Sequence, residues 1–314
     1  MSHGTRRPDF LVIGGSRCGT TSLHAALVRH PALFVPPEKS PNYFAAPDVD
    51  AVRDSDALRA MKGHTVTSAR EYTALFADAP AGRLAGEVSP VYLQSIHTAE
   101  RAAAFCPEAR IVVMLRHPVQ RAFAHWIGRR RDGLDPHEQF ETAIAADLAS
   151  PQSPAVAFNR YLAIGRYAHF LAPWYRAFPR ACIHVAFFDD FVRDPRHTVN
   201  AVCEFLGVPP LAGAIPMEQR NKGGIIRHPL LRTAWTRTAL LRAQLRHHLP
   251  PAVRDAAGRV FLGNLDRPQL PASRAAELLD YYRDDLMALT TLLGRPLPPW
   301  LTSAAFEPRL DQRP

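Results

Sequence analysis

The chain has 314 residues, 47% of them hydrophobic, and a formal net charge of +9. That length buries a full core and fits one large domain with insertions better than two independent ones, and the charge favours anionic ligands. Cys18, Cys106, Cys182 and Cys203 are widely spaced, with no CxxC pair and no histidine at metal-ligand spacing, which excludes a disulfide framework and a zinc site and points to a reduced cytoplasm.

Residues 1–8 read as a flexible N-terminus and 9–314 as a single domain. Phe10 to Ile13 is a continuous apolar run ending in Gly14-Gly15, too brief for a signal segment, and no stretch is long enough to span a membrane. From Thr20 to Arg29, Leu23, Ala26 and Leu27 share one helical face. Ile111 to Leu115 is a second buried-type strand, followed by Arg116-His117-Pro118 and a helix from about Gln120 to Arg131. Ile183 to Phe187 is a third, leading through Asp189-Asp190 to Asp194, a helix N-cap with Pro195 at the first helical position and Gly207 at the end. Residues 225 to 262 are rich in arginine and leucine and predict an inserted basic helix with a solvated face, which leaves peripheral membrane contact open. Strands alternating with helices predict an α/β fold, a P-loop-like parallel sheet with helices on both faces and a helical C-terminal region. Its ligand belongs beyond the carboxyl ends of the strands.

The turn Gly14-Gly15-Ser16-Arg17-Cys18-Gly19-Thr20-Thr21-Ser22 joins strand to helix, where backbone N–H groups and the helix dipole cradle an anion. Gly14 and Gly19 fit the pattern GxxxxGK[ST], but Thr20 stands where the lysine would reach the β- and γ-phosphates. The loop therefore suits a shorter anion, and an ATP-using P-loop transferase or kinase is the disfavoured alternative. The positive charge is almost all arginine, the only lysines being Lys39, Lys62 and Lys222. It is spread along an enzyme-sized chain and does not predict nucleic-acid binding.

Five segments, taken in order, resemble the sulfotransferases that use 3′-phosphoadenosine 5′-phosphosulfate (PAPS), in the bacterial and carbohydrate-type branch. Arg17 before Gly19-Thr20-Thr21 is similar to the 5′-phosphosulfate loop, and Arg116 through His125 to the 3′-phosphate segment. Gly86-Glu87-Val88-Ser89-Pro90-Val91-Tyr92 resembles a GExSPxY string, Phe187 to Val208 the fourth strand and its helix, and Leu289 to Leu301 the usual ending. The resemblance implies that Ser16, Arg17, Cys18, Gly19, Thr20, Thr21, Ser22 and Arg116 bind the cofactor, joined by Lys222 and Gly223 from a later basic loop. It implies Arg17 as the cation at the bridging oxygen, no metal, and a carbohydrate or small-molecule acceptor. Oligomeric state is not implied.

Three departures stand out. The family's serine in the 3′-phosphate segment is Ala124. Ser40 occupies the place of the glutamate base of the heparan-sulfate branch, and Val88 that of a lysine after the GE pair. Serine is no simple base at neutral pH, so Glu87 is the first candidate for activating or orienting the acceptor, His125 the second and Glu38 the third. For Glu87, bracing the loops as a buried carboxylate is the equal alternative, and a nucleotide-binding pseudoenzyme is the alternative for the whole chain.

Overall fold

The three apolar runs form the middle and one edge of a parallel sheet, completed by two further strands. β1 (Phe10–Gly14), β2 (Leu33–Phe34), β3 (Leu84–Val88), β4 (Arg110–Leu115) and β5 (Ile183–Phe187) lie in the order β2-β3-β1-β4-β5, every adjacent pair parallel. The computed structural model describes residues 6–51, 65–151, 153–213, 215, 224–226, 265–266 and 268–303. Successive side chains of a strand point to opposite faces, and this splits the core in two. Leu11, Ile13, Ile111, Val113 and Leu115 pack on one face, and Phe10, Val12, Val112 and Met114 on the other, all fully buried. A strand covered on both sides reads as a continuous apolar run for this reason.

The helices are α1 (Thr20–Leu27), α2 (Ala46–Ala51), α3 (Ala69–Ala74), α4 (Thr98–Phe105), α5 (Pro118–Arg131), α6 (Phe140–Ala149), α7 (Tyr167–Ala177), α8 (Phe188–Arg193), α9 (Pro195–Leu206), α10 (Ala272–Asp280) and α11 (Arg283–Leu293). α1 and α9 cover one face through Leu23, Leu27, Val199, Val202 and Leu206. α5, α7 and α11 cover the other through Val119, Trp126, Phe170, Trp174, Leu286 and Leu289. Among the described residues no helix is long and apolar enough to cross a membrane.

Several helix ends follow the sequence closely. Asp194 accepts the His197 N–H at 2.9 Å, Pro195 is the first residue of α9, and Gly207 closes it at φ 70°. α5 begins two residues before the expected Gln120, because His117 acts as its N-cap and its Nδ1 accepts the Gln120 N–H at 3.5 Å. Residues 188–193 form α8, where the sequence suggested a connecting loop. The expected basic helix does not start at residue 225: Ile225–Ile226 pairs antiparallel with Leu265–Asp266, a choice that suits two β-branched residues. The rest of that stretch, residues 227–264, lies outside the described residues.

The topology places the site. From β1 the chain passes through α1 to β2 on one side of the sheet, and from β4 it passes through α5 towards β5 on the other. In an open α/β sheet a ligand crevice belongs where connections from neighbouring strands part, here at the carboxyl ends of β1 and β4.

Candidate active site

The turn after β1 lies at that crevice. Its backbone is tight: Cys18 N–H bonds Gly15 O at 3.2 Å, and Ser22 and Leu23 N–H both bond Gly19 O, at 3.0 and 3.1 Å. Gly19, in the left-handed region at φ 81°, carries no side-chain cap, so the first N–H groups of α1 are left for a ligand. Gln94 donates from Nε2 to the Ser16 hydroxyl at 2.8 Å, holding the loop from β3's side. Arg17 itself has φ 71°, a costly conformation for a side chain this large and the kind of strain that functional loops hold.

Arg116, at the end of β4, turns back over the loop. Its Nη1 donates to Arg17 O at 3.3 Å, Tyr167 Oη donates to Arg116 O at 2.7 Å, and its buried Nε has no hydrogen-bond partner among the described residues. Its guanidinium lies 4.7 Å from the centroid of the Phe188 ring. That ring packs against Gly19 so closely that a Cβ there would meet Phe188 Cδ2 at 2.3 Å. Phe188 is thus wedged between the loop and the arginine, and aims the guanidinium as a cation–π partner. Burial opposes the Arg116 charge and the Asp189 carboxylate favours it.

Arg17 projects onto α5. A Cβ on Gly128 would lie 1.9 Å from Arg17 Nη2, so the missing side chain makes the seat for the guanidinium. Burial and Arg131, and to a lesser degree Arg116, work against its charge, and Asp132 favours it. Among the described residues neither Arg17 nor Arg116 has a carboxylate in salt-bridge contact. Ala124 is one turn before Gly128 on the same helix, so small residues line this face of α5. His125, buried beside them, is held well below the usual histidine range by burial and by Arg121, Arg17 and Arg129. Its ring meets Tyr161 edge-on at 5.3 Å, and its Nδ1 has no hydrogen-bond partner among the described residues.

Glu87 lies on β3 with 1% of its surface exposed. Ser89 Oγ donates to its Oε2 at 2.7 Å and Tyr72 Oη to its Oε1 at 3.1 Å. Burial raises its pKa to about 7, although Tyr92, Ser89, Tyr72 and Lys39 all favour the carboxylate. Both oxygens are engaged and enclosed, which favours the bracing alternative over direct contact with an acceptor. Ser40 N–H bonds Val88 O at 3.0 Å, so residues 39 and 40 cross the carboxyl end of β3. Lys39 is partly exposed, and Glu38 beside it is exposed. Burial lowers the Lys39 pKa to about 8, with Glu87 raising it and Arg17 lowering it further.

The structure therefore places Ser16, Arg17, Cys18, Gly19, Thr20, Thr21 and Ser22 after β1 and Arg116 at the end of neighbouring β4, bonded to Arg17 O, with His125 on α5 within electrostatic reach of Arg17 and Glu87 on β3 within such reach of Lys39. Lys222 and Gly223 lie outside the described residues. Among the described residues no group of three or more His, Cys, Asp or Glu is placed to hold a metal. Sequence reasoning missed Phe188, Gly128 and Lys39. Lys39 alone carried a signal, its rarity in a chain of arginines.

Residues 8–212 match the sulfotransferase family. The human bifunctional heparan sulfate N-deacetylase/N-sulfotransferase 3 is 26% identical over 306 residues, 94% of this chain, and the Drosophila melanogaster bifunctional heparan sulfate N-deacetylase/N-sulfotransferase is also 26% identical, over 314 residues. The chain spans only 31% of the human protein and 27% of the fly protein. A crystal structure of a sulfotransferase from Alicyclobacillus acidocaldarius superposes with a TM-score of 0.70 at 25% identity, covering 94% of this chain and 99% of that one. With the phosphate loop, the Arg116 segment and the parallel sheet in their expected order, and the family match extending over most of the chain, this protein belongs to the sulfotransferase family.

Proposed function

We propose that this chain moves a sulfuryl group from PAPS to a hydroxyl or amine of a carbohydrate or small-molecule acceptor and releases adenosine 3′,5′-bisphosphate (PAP). One observation carries the reading: two guanidinium groups, half-buried Arg17 and buried Arg116, come together at the ends of β1 and β4 with no carboxylate in salt-bridge contact among the described residues. Asp132 and Asp189 favour these charges only from beyond salt-bridge distance, and an anion with two separated phosphate groups would offset the burial cost at both. The orphaned Arg116 Nε fits this, since it leaves a donor for such a ligand.

In this reading the N–H groups of Gly19, Thr20 and Thr21 and the hydroxyls of Thr20, Thr21 and Ser22 hold the 5′ end, and Arg116 holds the 3′-phosphate. Lys222 and Gly223 add to the second site. The bound donor supplies an activated sulfuryl group on a phosphate leaving group. Arg17 stabilises the negative charge that develops on that phosphate, a task for a fixed cation in a water-poor site. Phe188 and the Gly128 seat keep the two guanidinium groups aimed. The heparan sulfate named in the two relatives supports a carbohydrate acceptor.

The test is calorimetry with PAP, AMP and ATP, then turnover with labelled PAPS against sugar hydroxyls, glucosamine-type amines, phenols and lipids. PAP should bind more tightly than AMP, and a sugar acceptor should be sulfated. Equal affinities for PAP and AMP, or no transfer to any acceptor, would refute the reading.

A further inference from the structure

We propose that Lys39 is the group that takes the proton from the acceptor, and that Glu87 is a positioning residue that stabilises the ammonium formed. The inference rests on the sulfuryl-transfer reading above and concerns this chain's missing base.

Elimination narrows the choice. Ser40 has no useful basicity. Glu87 is enclosed, with one carboxylate oxygen engaged by Ser89 and the other by Tyr72. His125 lies buried on α5 among three arginines, on the side of the crevice that holds Arg17. Glu38 is exposed. Lys39 is reachable from solvent, and its loop is tied across the carboxyl end of β3, the strand beside β1 and its phosphate loop. Among the described residues its ammonium makes one long hydrogen bond, 3.5 Å to Ser40 Oγ. The charged groups that act on it come from two elements, Glu87 on β3 and Arg17 on the loop. It therefore lies within electrostatic reach of both Arg17 and the carboxylate that can steady its own charge.

Residue type supports the assignment. Only Lys39, Lys62 and Lys222 are lysines in an otherwise arginine-based positive charge. A position that needs only charge can be arginine. One that must give up a proton cannot, because guanidinium does not deprotonate in proteins. Lysine partly stripped of water, with a pKa of about 8, is neutral in roughly a tenth of molecules at pH 7, a workable base.

The step balances without a further reactant. The acceptor O–H or N–H bond breaks and its proton goes to the Nζ lone pair as the acceptor atom bonds sulfur. The sulfur–oxygen bond to the leaving phosphate breaks with its electron pair on that oxygen, and Lys39 ends as an ammonium beside Glu87.

Two readouts test this. In the unaltered chain, competitive acylation of lysines followed by mass spectrometry across pH should give a midpoint near 8 for Lys39. Glu87→Gln should lower that midpoint, since it removes the anion that favours the ammonium. In transfer assays Lys39→Arg should lose roughly a hundredfold or more in kcat with PAP affinity unchanged, and Lys39→Ala should be partly rescued by added methylamine, increasingly so as pH rises. A midpoint in the ordinary lysine range, activity surviving Lys39→Arg, or no amine rescue in a folded Lys39→Ala protein overturns the proposal. If the unaltered chain itself transfers nothing, the transfer reading falls and takes this proposal with it. Turnover that survives Lys39→Arg removes this proposal alone.

Discussion

Gly128→Ala separates the stability of α5 from the chemistry at the crevice. A glycine inside a helix costs about 1 kcal/mol relative to alanine, and Gly128 has no positive φ to justify it. What it provides is space. An added Cβ would lie 1.9 Å from Arg17 Nη2, 2.5 Å from Cζ and 3.0 Å from Nε, and nothing but this one side chain is met at such range. The far end of an arginine moves aside without repacking the core, so the variant should be as stable as the parent or more so, by up to about 1 kcal/mol in urea unfolding. Turnover should move the other way. Arg17 loses its seat beside Arg116, and a displaced cation no longer meets the charge developing on the leaving phosphate. Complete loss of such a stabiliser costs a hundredfold or more, roughly 2.7 kcal/mol of barrier, so a displaced one should cost between about tenfold and that limit. The assay is transfer from labelled PAPS at saturating donor, with Arg17→Ala as the benchmark. If Gly128→Ala stays within about twofold of the parent while Arg17→Ala falls a hundredfold, the seat on α5 is not where Arg17 works, and the argument fails.

Arg116→Ala should weaken PAP binding strongly and leave AMP affinity nearly unchanged in calorimetry; equal losses would remove Arg116 from the 3′-phosphate. Ala124→Ser, on the same face of α5, should tighten PAP binding by about 1 to 2 kcal/mol through one added hydroxyl and leave AMP unaffected. Glu87 should also mark the pH dependence of folding. Its folded value of about 7 lies above the free value of 4.5, so its favourable contribution is full below about pH 4.5 and lost as pH rises through 7. The loss comes to about 3 kcal/mol. Glu87→Gln should flatten that slope in unfolding measured between pH 5 and 8, and an unchanged slope would mean that the carboxyl ionises freely in the folded protein.

The legible parts of the fold were those buried on both sides. β1, β4 and β5 announce themselves because a covered strand needs no polar positions, and the turn between β1 and α1 follows from glycines at a strand–helix junction. β3 was invisible as a strand for the opposite reason. Gly86 and Glu87 break the apolar run of Leu84–Val88, and a carboxylate in a fully buried strand is tolerated only because Tyr72, Ser89 and Tyr92 supply hydrogen bonds from elsewhere in the chain. Ile225–Ile226 was hidden by length, since two residues in a strand pair with no periodicity to read.

The site divides along the same line. Arg17, Arg116 and the hydroxyl-rich turn are local motifs and could be read in order. Gly128 and Phe188 matter only through what they touch across the fold, a guanidinium from one loop and a glycine from another. Neither relation is written in the residues beside them. Lys39 lies between these cases. The sequence places it one residue before a missing glutamate, where the absence drew attention to Ser40 and away from its neighbour. Only the fold reveals that the loop carrying both residues is pinned to Val88 O and that Lys39 lies within electrostatic reach of Glu87 and Arg17 together. A carboxylate base lost at one position can be replaced by an amine at the next only if something near it accepts the positive charge the amine acquires, and the buried carboxylate on β3 meets that condition.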